Sequence, residues 1–300
     1  MTAPIRASDW IGEHCLALAH RWEPERLVVV IFTAYLDEAD THGPSPDMIM
    51  AGFLGHAFQW RRFQTKLAKI QRKEGFTVFH GKEFKARSGE FAGWDDIKCD
   101  RVISKLADLV QLTLTEGLAV SLSRERYLTE YRAPPVPKKM NLDSQYGACF
   151  RALMAHLFDV MAQNNYQDRL NVVIERGHPN VWDCERIFND LRTTCKVLAG
   201  SDFLGEFSVR PKEGCPPLMV ADMLAGTYSI FRERVQKGLI QAPDFHAKPT
   251  TRGKLAFLEL QPNALRDLKT GFEELRQRKI AHYEAQRAAR KKPSSSGDSQ

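Results

Sequence analysis

The sequence predicts a mixed α/β sheet flanked by helices, and three observations support this fold class. Residues Leu27 to Leu36 are almost all apolar and rich in β-branched side chains, as in a strand covered on both faces. A turn-rich loop, 40–47, separates them from a second apolar run, Met48 to Phe58, so we expect an antiparallel hairpin. Strand and helix patterns then alternate, which favours parallel strands joined by helices.

The later elements are predicted in chain order from the spacing of their apolar residues. Helices with apolar side chains every three to four positions are expected at 59–74, 95–115, 144–164, 183–198 and 216–235. Short apolar runs predict strands at 76–79, 117–122, 170–175 and 203–209. Gly75 is expected to end the first helix, and the proline-rich segment 133–139 is expected to be a loop.

The same patterns divide the chain into four parts. Residues 1–26 are predicted to be an N-terminal helical extension, and 27–240 form the α/β domain. Residues 241–289 are predicted to be a C-terminal helical extension, and 290–300 a basic, serine-rich disordered tail.

The net charge of +6 is concentrated near the C-terminus. Residues 276–300 contain seven Lys or Arg and two acids, which leaves a net charge of +1 for 1–275. Such a basic segment either binds nucleic acid through phosphate charge or is simply solvated.

Cysteine usage and hydropathy predict a cytoplasmic protein without a membrane segment. The six cysteines are scattered, without a C-x-x-C pair, as expected for reduced thiols. The N-terminus has no secretory pattern, and no apolar run reaches the length of about 20 residues that spans a bilayer.

Several common active-site motifs are absent from the sequence. It contains no G-x-G-x-x-G, no G-x-x-x-x-G-K-[ST] and no G-x-S-x-G, so dinucleotide binding, a P-loop and a hydrolase nucleophile elbow are not supported. His and Cys residues do not have the spacing of a zinc site. Carboxylates are the remaining candidates for site chemistry.

Four carboxylates adjoin strongly apolar segments. Asp37 and Glu38 end the first strand, Glu175 ends a later strand, and Asp222 lies within an apolar helix. Burial of a carboxylate is costly unless it is paired, protonated or bound to a metal ion. For Asp222 we weigh a metal site against a salt bridge to Arg124, Arg210 or Lys212. Glu175 is followed by Arg176, and its strand end could instead emerge into solvent.

These motifs, in this order, resemble the bacterial domain of unknown function 3800 over residues 27–235. The resemblance rests on Asp37-Glu38 after the first strand, the early hairpin, Phe79-His80 after the first helix, and the late helix containing Asp222. The family has Gln-x-x-Asp where this chain has Met219-Val220-Ala221-Asp222, and a thioether lacks the hydrogen-bonding groups of the amide. The resemblance implies a fold related to the ribonuclease H superfamily.

The resemblance also implies a metal-dependent nuclease or phosphodiesterase. In that case Asp37, Glu38, Glu175 and Asp222 would bind Mg²⁺ or Mn²⁺, which would activate water for attack on nucleic acid of unspecified type. Because neighbouring strand residues point to opposite faces, Asp37 and Glu38 can share a site only where the strand bends or ends.

His80 is a further candidate catalytic residue. A histidine near a carboxylate site could transfer protons or orient substrate, although a lone histidine is more often structural. Its neighbours Lys82, Glu83 and Lys85, and Lys138-Lys139 in the proline-rich loop, are weaker candidates for phosphate contacts.

A second class of function competes with catalysis. The chain could be a non-catalytic module that binds nucleic acid, a protein partner or a second copy of itself. In that case the acids would be structural, and the basic C-terminal segment would supply affinity. Met219 and the nearly neutral body of the chain favour this alternative.

Overall fold

A computed structural model describes residues 31–39, 47–133, 141–166, 168–239 and 255–291. The predicted N-terminal extension at 1–26, the loop 40–46, the proline-rich segment 134–139 and residues 292–300 of the predicted tail lie outside these ranges.

The centre of the fold is one six-stranded sheet. Its strands are β1 (Ile31–Ala39), β2 (Asp47–His56), β3 (Glu116–Ser123), β4 (Arg169–Glu175), β5 (Leu204–Arg210) and β6 (Leu255–Glu259). The spatial order is β5-β4-β1-β2-β3-β6. Strands β1, β2 and β3 pair antiparallel, whereas β4 and β5 join β1 in parallel and β6 joins β3 in parallel. The predicted mixed sheet and its early hairpin are confirmed.

Helices cover both faces of the sheet. They are α1 (Ala57–Glu74), α2 (Gly81–Ala86), α3 (Asp96–Thr113), α4 (Gln145–Gln163), α5 (Val181–Ala199), α6 (Pro216–Gln236) and α7 (Pro262–Lys291). The five helices predicted between residues 59 and 235 are all present, within about two residues of their predicted ends. None of the helices in the described ranges is both long and apolar enough to cross a membrane.

The pleat of β1 divides the core into two layers. Phe32 and Leu36 pack with side chains of α4 and α5 on one face, while Tyr35 packs on the other face with α1, α3 and α6. The indole N–H of Trp60 in α1 donates to the carbonyl oxygen of Thr33 at 2.9 Å, which fixes this helix against β1. As expected, α1 ends at Gly75, whose φ of +79° is readily adopted only by glycine.

The strand predicted at Phe76–Phe79 is wrong. These residues pair with no other strand in the described part of the chain. The carboxylate of Glu90 instead accepts the backbone N–H groups of Thr77 and Val78, the latter at 3.0 Å. Phe76 and Phe79 pack against the ring of Phe91. The apolar pattern therefore reflects burial of an irregular segment, and a side chain supplies the acceptor that a neighbouring strand would have provided.

Strand β6 was not predicted from the sequence. It lies within 241–289, which was expected to be a helical extension, and it pairs with β3 over Gly117 to Ser121. The sheet therefore includes residues beyond the predicted domain end at 240. Helix α7 follows it and continues to Lys291, past the predicted helix end at 289.

A buried ion-pair network joins the beginnings of α4 and α5. Asp143 is fully buried and lies 2.7 Å from Arg151 Nε and 2.5 Å from Arg186 Nη2. Asp183 accepts hydrogen bonds from the backbone N–H of Ser144 at 2.6 Å and from its hydroxyl at 2.8 Å. Each of these acids therefore has several donors, which compensates for its removal from water.

We expect Asp143→Asn to lower the free energy of unfolding by about 3–5 kcal/mol, because it removes the negative charge between two guanidinium groups. Urea denaturation measures this change. The matched control is Asp202→Asn, whose carboxylate also faces two cations, Arg169 at 3.8 Å and Lys196 at 3.9 Å, but is 62% exposed. The control should lose less than about 1 kcal/mol. Equal losses in the two variants would contradict this account of the network.

Candidate functional site

Two of the predicted acids meet at the carboxyl ends of adjacent parallel strands. In the β1–β4 register Leu36 pairs with Ile174, so Asp37 and Glu175 are the next residues on their strands. Asp37 is 1% exposed, while Glu175 is partly buried. The topology of the sheet therefore brings together two acids that are far apart in sequence.

Asp222 approaches the same sheet edge from α6, which packs against β1 and β2. Its Oδ2 atom accepts a hydrogen bond of 2.7 Å from the backbone N–H of Gly81, the first residue of α2. A Cβ atom at position 81 would lie only 3.0 Å from Asp222 Oδ1, so glycine permits this close approach. The buried setting predicted for Asp222 is confirmed.

Lys212 occupies the centre of these acids. Its Nζ atom lies 3.1 Å from Asp37 Oδ2, 3.2 Å from Glu175 Oε2 and 2.7 Å from Asp222 Oδ2. The side chain is only 6% exposed. Of the partners considered for Asp222 from the sequence, Lys212 is the one observed. The term acid–lysine cluster refers below to Asp37, Glu175, Asp222 and Lys212.

The loop between β5 and α6 places this lysine. Its backbone carbonyl accepts the N–H of Cys215 at 3.0 Å, and Gly214 has a φ of +80° that closes the turn. Helix α6 begins two residues later at Pro216, where the missing N–H of proline has little cost. This short turn directs Lys212 back over the sheet edge.

One ammonium cannot balance three ionised carboxylates. Burial raises the pKa of Asp37 well above its usual range, and a hydrogen bond with the Glu175 carboxyl raises it further. For Lys212, burial alone would lower the pKa, but the charges of Asp37, Asp222 and Glu175 outweigh it and raise the pKa above its usual value. The acid–lysine cluster thus retains an excess of negative charge that favours an additional proton or a more highly charged cation.

Glu38 lies on the opposite face of β1 from Asp37. Its carboxylate accepts a hydrogen bond of 3.3 Å from the hydroxyl of Tyr146 in α4, and the Tyr146 ring stacks on His178 at 3.8 Å. It is not within ion-pair distance of Lys212 in the described structure. Burial, followed by the charge of Asp37, raises the pKa of Glu38 to about 8. Glu38 therefore neighbours the acid–lysine cluster without belonging to it.

His80 lies at the rim of the cluster. It immediately precedes Gly81, whose N–H binds Asp222, and its Nε2 atom is 3.5 Å from Glu213 Oε1. Its side chain is 30% exposed, so solvent can reach it. The structure places His80 near the predicted site, although it makes no ion pair with Asp37, Glu175 or Asp222 in the described residues.

Met219 lies one helical turn before Asp222 and is buried. The Nε2 atom of Gln71 lies 3.7 Å from its sulfur, and the same amide group donates to the carbonyl oxygen of Thr77. An amide from α1 therefore reaches this position in space, although the residue at 219 itself has no amide.

The donor atoms suit Mg²⁺ or Mn²⁺, but their spacing is that of an ammonium complex. Carboxylate oxygens are the ligands that these ions prefer, and Mg²⁺ binds them at about 2.0–2.1 Å. Within the described residues, no group of three or more His, Cys, Asp or Glu side chains is placed to bind a metal ion directly. Asp37 Oδ2 is buried and accepts no hydrogen bond from the described residues, and it is the oxygen most available to a cation.

The sequence missed two residues of this region. Tyr146 gave no signal, because it resembles any other aromatic residue on the apolar face of a helix. Lys212 was considered only as one of three partners for Asp222. The position of a lysine between a strand and a proline-initiated helix that contains a buried acid is the pattern that could have identified it.

We expect Glu38→Gln to change the pH dependence of stability. The folded-state pKa of about 8 exceeds the ordinary 4.5, so between these pH values the folded protein holds a proton that the unfolded chain releases. The unfolding free energy of the wild-type protein should therefore fall as pH rises through this range, relative to Glu38→Gln, by up to about 1.4 kcal/mol per pH unit.

Urea denaturation of both proteins across this pH range measures the difference. Glu185→Gln, at an exposed position on α5, controls for loss of a carboxylate and should follow the wild-type profile. Parallel profiles for wild type and Glu38→Gln would contradict the raised pKa.

Comparison of the chain with models of known protein families and with curated proteins gives no match. Function must therefore be argued from the geometry of the acid–lysine cluster and its surroundings.

Proposed function

We propose that this protein is a metal-dependent phosphodiester hydrolase, a nuclease or phosphodiesterase, whose site is formed by Asp37, Glu175 and Asp222. The main support is the convergence of three carboxylates, from β1, β4 and α6, on one point that a cation already occupies. The element order agrees with the resemblance of the sequence to the domain of unknown function 3800 and to ribonuclease H-like nucleases. That resemblance remains a proposal.

Charge explains why a divalent ion would be favoured in this place. The ammonium of Lys212 contributes one positive charge to three acids, and the raised pKa of Asp37 reflects the resulting excess of negative charge. Two cations cannot share one position, so Lys212 would have to leave when Mg²⁺ or Mn²⁺ binds. A bound divalent ion would supply a nucleophilic water and neutralise charge on the leaving oxygen.

Residues around the cluster would assist by handling protons. His80 is solvent-accessible at the rim, which suits exchange of a proton with substrate or water. Glu38, with a pKa of about 8, can hold or release a proton near neutral pH on the other side of β1. The backbone N–H of Gly81 fixes the orientation of the Asp222 carboxylate.

A non-catalytic binding module is the second candidate, and Lys212 is the observation that favours it. In this alternative the lysine is a permanent counter-ion, and the acid–lysine cluster holds α6 to the sheet. Met219 in place of the family glutamine agrees with it. The two candidates differ in whether a divalent cation can replace the lysine.

We further propose that the protein acts in the cytoplasm on nucleic acid. The five cysteines in the described ranges are free thiols, consistent with a reducing compartment. The basic segment 276–300 would add to affinity for phosphate-bearing partners.

We expect Mg²⁺- or Mn²⁺-dependent cleavage of labelled DNA or RNA that Asp37→Asn and Asp222→Asn each reduce by about 100-fold or more, since each loses a charged metal ligand. Single- and double-stranded substrates are compared by gel electrophoresis. Asp202→Asn is the control, because Asp202 is exposed and precedes β5 at the opposite end of this strand from Lys212. Cleavage unaffected by both site variants would contradict the proposal.

We expect Lys212→Met to unfold more readily than wild type without metal, because three carboxylates then face one another without the ammonium. Mg²⁺ or Mn²⁺ should restore stability, by about 2.7 kcal/mol at a free concentration near 100 times the dissociation constant. Calorimetry should show tighter metal binding than in wild type, because the competing cation is gone.

Lys237→Met is the matched control for this experiment. Its ammonium pairs with Glu233 on the surface and is 61% exposed, so neither stability nor metal binding should change appreciably. Destabilisation of Lys212→Met that no divalent cation reverses would contradict metal binding and support the binding-module alternative.

A further inference from the structure

A groove of about 850 Å³ opens beside the acid–lysine cluster. Its walls are formed mainly by α2 and α6, and Asp222 lies in its lining. The lining also contains Gly81, whose N–H binds Asp222, so the groove is continuous with the candidate site. Its volume lies within the range of about 300–1,000 Å³ that is usual for ligand pockets.

Four cations line this groove: Lys82, Lys85, Arg87 and Arg234. Arg87 is paired with Asp96 at 2.9 Å. Lys82, Lys85 and Arg234 are exposed, and no acid among the described residues lies within ion-pair distance of them. Lys82 and Lys85 are three residues apart on α2 and therefore share one side of that helix.

The acids of the lining offset this positive charge only in part. Asp222 is bound to Lys212, and Glu38 accepts a hydrogen bond from Tyr146. The raised pKa of Glu38 keeps this side chain largely protonated at pH 7. Asp100 is the remaining carboxylate of the lining. The groove thus presents a surplus of positive charge although residues 1–275 are nearly neutral.

Helical geometry sets the length over which this charge extends. Asp222 and Arg234 lie on the same helix twelve residues apart, which corresponds to about 18 Å along its axis. A small phosphodiester at Asp222 could not also reach Arg234. A nucleic-acid strand has one charge per about 3.4 Å, so the same distance covers about five phosphates.

From this arrangement we infer that the groove binds the sugar–phosphate backbone of a nucleic-acid strand, with Lys82, Lys85 and Arg234 contacting phosphates that flank the one at Asp222. This inference rests on the proposed function and narrows its substrate class from phosphodiesters in general to a polynucleotide. Contacts of this kind position a strand without selecting its base sequence.

The test is binding of fluorescent single-stranded DNA and RNA of mixed sequence, measured by anisotropy in EDTA at several salt concentrations. The triple variant Lys82→Gln, Lys85→Gln, Arg234→Gln is compared with Arg62→Gln, Lys69→Gln, Lys73→Gln. The control removes the same number of lysines and arginines from exposed positions on α1 that do not line the groove. Both variants retain the full chain, including the basic C-terminal segment.

We expect the groove variant to lower the slope of log affinity against log salt by about 2, from about 0.7 per lost contact to single strands. Between about 50 and about 200 mM salt, wild type should then lose about 20-fold more affinity than the groove variant. The control should keep the wild-type slope.

Equal slopes for the two variants, or no binding of either nucleic acid, would overturn the inference. Because the assay contains no divalent cation, it gives a result whether or not cleavage occurs. A groove-dependent slope together with failed cleavage would overturn the proposed hydrolase and leave the groove assignment standing. A duplex arm shows whether the groove prefers one strand or two.

Discussion

The attraction between the Lys212 ammonium and three carboxylates is the interaction on which the candidate site depends. Asp37 and Glu175 are adjacent because β1 and β4 are parallel neighbours, and Asp222 joins them because α6 packs over the same sheet edge. Without a cation, these acids would repel one another in a place from which water is largely excluded. Lys212 removes that repulsion only in part, and the raised pKa of Asp37 is the consequence. The site is therefore held together, yet it remains suited to a cation of higher charge.

Much of the fold followed from local patterns, because buried strands and amphipathic helices have distinctive periods. The hairpin, the parallel strand β4 and the apolar helix α6 were predictable in this way, and so was the convergence of Asp37, Glu175 and Asp222. Where a side chain replaced a regular partner, the patterns failed. Glu90 satisfies the backbone of Phe76–Phe79, which therefore forms no strand. Strand β6 is short, and most of its residues are only partly buried, so it lacks a strong apolar signature.

The site could be predicted less completely than the fold. Alternation along β1 indicated that Asp37 and Glu38 point to opposite faces, and the structure places Glu38 with Tyr146 on the α4 side. Whether Lys212 points into the site depends on the turn between β5 and α6, which no periodic pattern encodes. The same turn decides between the two proposed functions, because it delivers a tethered cation to the position that a metal ion would occupy. The groove between α2 and α6 also depends on tertiary packing, since its cations come from segments about 150 residues apart.

The central claim is that Asp37, Glu175 and Asp222 can hold a divalent cation in place of Lys212. Anomalous X-ray scattering from crystals soaked in Mn²⁺ tests this claim most directly, because it locates the metal and the lysine in one experiment. The account predicts an anomalous peak among the three carboxylates, with the Lys212 ammonium displaced from its present contacts. Crystals that show no peak there, with Nζ still bound to all three acids, would contradict it and identify the acid–lysine cluster as a structural ion-pair network.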